Sequence, residues 1–246
     1  MKPTFQQTFH IDALHVDRYG RAKPSSLLYF AQEAAGQHCL DLAVDWNSLA
    51  QRHLFWAVIR HRVQVTRLPM LGETITVETW PMPTTRVAYP RSTVAYDPKG
   101  NELFRSVSLW VLMDTDTRAM VLPGKSGVEV CGTLQGTELA VPNSILPKVL
   151  RNTVCNRVGF TELDRNGHMN NTRYMDWIDN LLPSEFHQNY TVKDFTICYL
   201  SEAREGQQID LNWELFDGPS LQVDAHSKPS EDGKEPTRVF SAQVHF

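Results

Sequence analysis

Val16-Asp17-Arg18-Tyr19-Gly20-Arg21 and, 147 positions later, Leu163-Asp164-Arg165-Asn166-Gly167-His168 share one skeleton, apolar-Asp-Arg-x-Gly, and this repetition decides the fold. Each copy leads into a helical pattern. In the first it runs through Leu27, Leu28, Phe30, Ala31, Ala34 and Ala35. In the second, Tyr174, Trp177, Ile178 and Leu181 recur at i, i+3, i+4 and i+7, and Pro183 stops the run. Both helices follow a short opening strand, and both precede segments of period-two alternation, as expected of sheets with one face on a core. Ile209, Leu211, Trp213 and Leu215 alternate with polar residues, and so do Phe240, Ala242, Val244 and Phe246. In the first half Ile75 and Val77 lie in a Thr-rich run, and Val107, Leu109 and Val111 form the analogous late strand. The turn sequences Asp97-Pro98-Lys99-Gly100-Asn101 and Glu231-Asp232-Gly233-Lys234 precede the late strand of each half.

Strand, helix, then several antiparallel strands is the order of an α+β unit in which a sheet wraps one hydrophobic helix. Written twice in one chain, it predicts a double (tandem) hotdog, each repeat a long helix wrapped by an antiparallel sheet. The expected boundaries are an N-terminal repeat over 1–125, a Gly- and Pro-rich linker over 126–152, and a C-terminal repeat over 153–246.

Composition bounds the rest. The chain has 246 residues, is 41% hydrophobic and 21% charged, and carries a formal net charge of -4, which disfavours a dedicated nucleic-acid binder. Cys39, Cys131, Cys155 and Cys198 form no C-x-x-C pair, so reduced, buried thiols are expected, with neither a zinc site nor a disulfide framework. The N-terminal residues contain no apolar signal-like run and no later segment is long enough to span a bilayer, so a cytoplasmic protein without a membrane partner is expected.

The second copy of the repeat continues into Met169-Asn170-Asn171, gathering an acid, an imidazole and three amides in front of a helix. Either Asn170 or Asn171 is a candidate N-cap, Asn166-Gly167 a candidate tight turn, and His168 on its own reads as easily as a hydrogen-bonded structural histidine. The density of the cluster favours a site, with the helix N-terminus available to polarise a carbonyl oxygen. The first copy has Tyr19 where Asn166 stands and Arg21 where His168 stands. It keeps the turn and loses the chemistry, so Asp17 reads as a structural residue.

The run Asp164-Arg165-Asn166-Gly167-His168-Met169-Asn170-Asn171-Thr172-Arg173-Tyr174-Met175-Asp176-Trp177 resembles the D-x-N-x-H-(V/M)-N-N-x-(K/R)-Y-x-x-W signature of the acyl-acyl carrier protein thioesterases, enzymes that release fatty acids from the carrier. Val63 to Glu73, Thr79-Trp80-Pro81 and Ser108 to Asp114 extend the resemblance over the first half. It implies a catalytic C-terminal repeat and an acyl tunnel formed mainly by the N-terminal one, for which Leu27, Leu28, Phe30, Ala31, Phe55, Trp56, Val58 and Trp110 are candidates. It also implies functional positions at Asp164, Asn166 and His168. A fourth, an acid on the strand after the helix, falls on Glu202, with Glu205 as the alternative. Plant members often carry a cysteine beside that glutamate. This chain has Ala203 there, and Cys198 reads as a buried strand residue.

Thioester hydrolysis needs an activated water, a polarised carbonyl and a departing thiolate, and an imidazole is well matched to proton transfer near neutral pH. The expected roles are Asp164 or Glu202 as base or attacking carboxylate, His168 as proton shuttle and Asn166 as an orienting amide, with neither metal nor cofactor. The implied partner is an acyl carrier protein. Such carriers are acidic, so Arg60, Arg62, Arg67, Arg86, Arg91 and Arg173 are candidate docking residues. Rival readings are an acyl-coenzyme A thioesterase, a non-catalytic acyl-binding hotdog protein and, third, a hotdog dehydratase. Monomer and homodimer both stay open.

Overall fold

A computed structural model describes residues 3–229 and 235–246. The chain divides into two compact units, Met1–Pro142 and Asn143–Phe246. The first contains strand β1 (Phe5–His10), helices α1 (Pro24–Asp41) and α2 (Trp46–Ala50), strands β2 (Leu54–Val65), β3 (Thr74–Pro81), β4 (Tyr89–Tyr96), β5 (Glu102–Asp114) and β6 (Met120–Val121), and a short helix α3 (Pro123–Ser126). The second contains β7 (Asn152–Arg157), helices α4 (Arg173–Asp179) and α5 (Ser184–Asn189), and strands β8 (Asp194–Tyr199), β9 (Gln208–Phe216), β10 (Ser220–Ser227) and β11 (Arg238–His245).

Sheet order exposes the duplication. In the first unit the strands run β1-β3-β4-β5-β2, with β6 added on β5. In the second they run β7-β9-β10-β11-β8, so the first, third, fourth, fifth and second principal strands of each unit lie side by side in the same sequence. Every recorded pairing within the units is antiparallel. Each unit is the hotdog arrangement expected from the sequence.

Helix α1 begins at Pro24, whose fixed φ and missing N–H suit a first turn. It buries Leu27, Leu28, Phe30, Ala31, Ala34 and Ala35. The alanines let the helix approach the sheet closely, while Leu27, Leu28 and Phe30 each contribute about 1.5–3 kcal/mol by burial. Phe30 packs on Phe9 of β1 with ring centroids 5.0 Å apart.

The helix of the second unit is shorter than expected. Instead of one long helix it has seven residues in α4 and, after a break at Asn180–Pro183, six in α5. Pro183 has no N–H to donate and restricts the residue before it, so the chain leaves the helix ahead of it. Leu181 thus falls in a turn outside α4, its N–H donating to the Ile178 carbonyl. Tyr174 anchors α4 on the sheet, against Tyr199 of β8 and Phe240 of β11 at centroid distances of 5.6 and 4.8 Å.

Residues 127–151 form neither helix nor strand. They form a strap held by hydrogen bonds along its length. On the first unit, Trp80 Nε1 donates to Glu138 at 3.1 Å and Arg60 to the Pro142 carbonyl at 3.0 Å. On the second, Gln222 and Arg238 donate to the Leu146 and Ile145 carbonyls. The Asp97 turn forms as expected: its carboxylate accepts the N–H groups of Lys99 and Asn101 at 2.9 and 2.8 Å. The corresponding turn at Glu231–Lys234 lies outside the described residues. Four cysteines are free; Cys198 is buried in β8, but Cys131 and Cys155 are exposed, against the expectation of buried thiols. Both stand on solvated segments, Cys131 on the strap and Cys155 on the edge strand β7.

Candidate active site

The loop before α4 is organised by Asp164. Its Oδ1 accepts the Asn166 N–H at 2.8 Å and the His168 N–H at 3.2 Å, its own N–H donates to the His168 carbonyl at 2.7 Å, and Asn166 Nδ2 lies 3.4 Å from Oδ2. Gly167 closes the turn at φ +75°, a left-handed conformation that favours glycine. The first unit repeats the backbone bonds of this loop. Asp17 Oδ1 accepts the N–H groups of Tyr19 and Arg21 at 2.8 and 3.0 Å, Asp17 N–H donates to the Arg21 carbonyl at 2.8 Å, and Gly20 also sits at φ +75°. Arg21 there forms an ion pair with Asp17 at 2.8 Å and covers the Tyr19 ring. The aspartate is thus common to both loops, and in both it holds backbone.

The two copies differ in what stands around that aspartate. Met169 N–H donates to the Ala203 carbonyl at 2.8 Å and His168 bridges Arg204, which lays the start of the β8–β9 connection along the loop. Glu202 is thereby brought beside His168, with Oε2 3.1 Å from Nε2. The imidazole is 12% exposed and the carboxylate 35%, so the pair is sheltered on the histidine side and reachable on the glutamate side. The Arg204 guanidinium lies 3.8 Å from the same oxygen. Glu205 is exposed and is not the acid that meets the histidine. In the first unit the same backbone bridge joins Arg21 to Met70, which puts Leu68 at the place of Glu202. Asn166, His168 and Glu202 therefore have Tyr19, Arg21 and Leu68 as their counterparts.

Two supporting contacts were not foreseen. Glu162 accepts the Trp177 indole N–H at 2.7 Å and the Gly159 N–H at 2.8 Å, while its carbonyl accepts the Asn170 N–H at 2.8 Å, tying the loop to α4. Tyr199 donates to the Asn171 carbonyl at 3.0 Å. The Gly159-x-x-Glu162 spacing was the available signal for the first; nothing local to Tyr199 signals the second. Of the two candidate caps Asn170 makes the capping bond: its Oδ1 accepts the Thr172 N–H and hydroxyl at 3.0 and 2.9 Å, while Thr172, the residue before α4, makes no side-chain cap. The Asn side chain is used one step earlier because Thr172 already has helical backbone angles. Behind the loop the Tyr174 hydroxyl is pushed well above its usual pKa, by burial first and then by the charges of Asp164, Glu202 and Glu162, and stays protonated. Among the described residues no group of three or more His, Cys, Asp or Glu is arranged to hold a metal ion.

The acyl-ACP thioesterase N-terminal domain model matches residues 2–122, and the acyl-ACP thioesterase C-terminal domain model matches residues 151–241. The chain belongs to the acyl-ACP thioesterase family. Among curated acyl-ACP thioesterases it is 28% identical to the chloroplastic dodecanoyl-[acyl-carrier-protein] hydrolase of Cinnamomum camphora, over 80% of this chain and 56% of that protein. To the chloroplastic oleoyl-acyl carrier protein thioesterase 1 of Arabidopsis thaliana it is 22% identical, over 84% and 62%. It therefore spans somewhat more than half the length of these relatives. The fold is shared with solved family members: an acyl-ACP thioesterase from Bacteroides thetaiotaomicron, at a TM-score of 0.84 and 23% identity, covering 99% of this chain and 98% of that one, and a 12:0-ACP thioesterase from Umbellularia californica, at 0.82 and 21%, covering 100% and 97%.

The candidate carrier-docking arginines divide by burial. Arg67, Arg86 and Arg173 are exposed, Arg67 paired with Glu73 and Arg173 with Asp176. Arg60 and Arg62 are half-buried. Arg91 is buried against α1, which removes it from any docking surface: its position on β4 points inward, toward His38.

Proposed function

We propose that this chain hydrolyses the thioester of a fatty acyl-acyl carrier protein, releasing the free acid and the carrier thiol. The observation that carries the reading is the His168–Glu202 pair, built on a loop whose twin in the first unit keeps the aspartate and lacks the pair. Donation of Nε2–H to Glu202 leaves Nδ1 as the basic nitrogen of the ring. Glu202 orients the imidazole and stabilises it once protonated. His168 takes a proton from water as its oxygen attacks the thioester carbonyl; the C–S bond of the tetrahedral intermediate then breaks, and the proton passes to the departing thiolate. Asn166, at the exposed rim, orients the water or the carbonyl oxygen through its amide. Asp164 is the positioning residue of the loop, because its carboxylate is occupied by the same backbone bonds that Asp17 makes.

Thiol release from matched acyl-carrier and acyl-coenzyme A substrates tests this reading. The expected result is faster release from the carrier, weakening as salt rises because exposed cationic groups such as Arg86 meet an acidic partner. Preference for coenzyme A, insensitive to salt, would transfer the chemistry to the other thiol. Release from neither would leave an acyl-binding protein.

A further inference from the structure

The inner face of the first sheet, where α1 packs, carries a buried polar patch beside the apolar Val63, Val77, Ala95 and Phe104. Register places Arg91, Ser108 and His61 side by side across β4, β5 and β2, and Thr79, Thr93 and Ser106 in the next row across β3, β4 and β5. Cross-strand partners share a face, so all six point toward the same side. Arg91 is 7% exposed and His61 2%. The guanidinium donates to His38 Nδ1 at 3.2 Å, to Thr79 Oγ1 at 3.3 Å and, at 4.0 Å, to Cys39 Sγ. None of these is a carboxylate, and burial pushes the Cys39 thiol upward, toward its neutral form. Both ring nitrogens of His61 and the Ser106 hydroxyl are buried without a partner.

A buried cation needs an opposite charge, and buried donors need acceptors. A neutral imidazole offers one N–H, a serine one O–H, and Arg91 has N–H groups beyond those it uses on His38 and Thr79. Water would accept these bonds and bring no charge; a carboxylate does both. The surroundings select the rest of the ligand. Cys39, beside Arg91, packs on the apolar cluster of Val44, Leu49, Leu54, Tyr89 and Leu112. We infer that this inner face binds the carboxylate of an aliphatic acid, with Arg91 as its counter-charge and His61 and Ser106 as additional hydrogen-bonding groups. Two sources share that chemistry, the free acid that hydrolysis releases and an acyl chain ending in a second carboxylate. The assignment of a source rests on the hydrolase reading; the site itself does not.

Calorimetric binding of dodecanoate, methyl dodecanoate and dodecanol to the full chain tests the site without reference to turnover. Dodecanoate is expected to bind at least about tenfold more tightly than its methyl ester, the size of one charge-assisted interaction, and Arg91→Met to abolish that preference. Arg91→Lys, which keeps the charge and loses the fork, is expected to retain part of it. Equal binding of acid and ester by the native chain, or undiminished acid preference in a folded Arg91→Met variant, would overturn the inference. Carrier substrates of one chain length ending in methyl or in carboxylate separate the sources. Faster turnover of the carboxylate-ended chain assigns substrate recognition, whereas inhibition by added dodecanoate with no such gain assigns product retention. Failure to release thiol from any thioester would sink the hydrolase reading and leave the binding result standing.

Discussion

Asp17 and Asp164 allow a controlled comparison at the scale of single residues. Each carboxylate accepts two loop N–H groups at distances between 2.8 and 3.2 Å, and the position four residues on is His168, paired with Glu202, in one loop and Arg21, paired with Asp17 itself, in the other. Replacement of either by alanine is expected to cost about 1 kcal/mol of stability, reduced by partial exposure, and to lower the melting temperature similarly. Asp17→Ala should leave thiol release unchanged, while Asp164→Ala should depress it by misplacing His168. Loss of turnover on Asp164→Ala with no loss of stability would instead make that carboxylate a chemical participant. Gly167 carries a related prediction. A Cβ there would meet no atom within 4 Å, so the cost of Gly167→Ala is left-handed backbone strain alone, about 1–2 kcal/mol, and Gly20→Ala, with Leu71 Cβ at an ordinary 3.9 Å, should match it in denaturant unfolding.

At the scale of elements, the strap shows what local pattern misses. Its Gly and Pro content reads as a linker crossing the surface, and Gly132 on it lies so close to the Met82–Pro83 backbone that a Cβ would overlap it. Gly132→Ala should therefore lift the strap from the first unit and raise proteolytic nicking between residues 127 and 142; unchanged nicking would show that the contact is dispensable. The amphipathic segments were legible because a buried stripe imposes its period on the sequence: α1, β3, β5, β9 and β11 stand where Leu27–Ala35, Ile75–Val77, Val107–Val111, Ile209–Leu215 and Phe240–Val244 put them. The short α2 and α5 carry no such stripe. β4 is buried over seven consecutive residues and gives no alternation to read. Glu202 was legible through resemblance, not periodicity, since it stands 34 positions from His168 and meets it through the backbone bridge between His168 and Arg204. The inner polar face was hidden for the same reason: Arg91, Ser108 and His61 are neighbours by register alone.

At the scale of the molecule, one strand order built twice carries two different loops, and function follows the loop rather than the fold. The first unit also carries a pH liability. Burial lowers the His61 imidazole to about 3, whereas in the unfolded chain it titrates near about 6.5. Between those values only the unfolded state takes up the proton, so stability is intact above about 6.5 and erodes as pH falls, by up to about 1.4 kcal/mol per unit. The native melting temperature should fall more steeply than that of His61→Phe between pH 6 and pH 4; parallel curves would place a proton-accepting partner beside the ring. Thioester hydrolysis is proposed to rest on the His168–Glu202 pair, on the loop of the second unit. The most direct test is single-turnover thiol release from an acyl-carrier substrate by the native chain, His168→Ala and Glu202→Gln, all at matched stability. Release is expected to fall by about a hundredfold or more in His168→Ala and to be strongly reduced in Glu202→Gln. Release at the native rate in both variants would take the chemistry away from this pair.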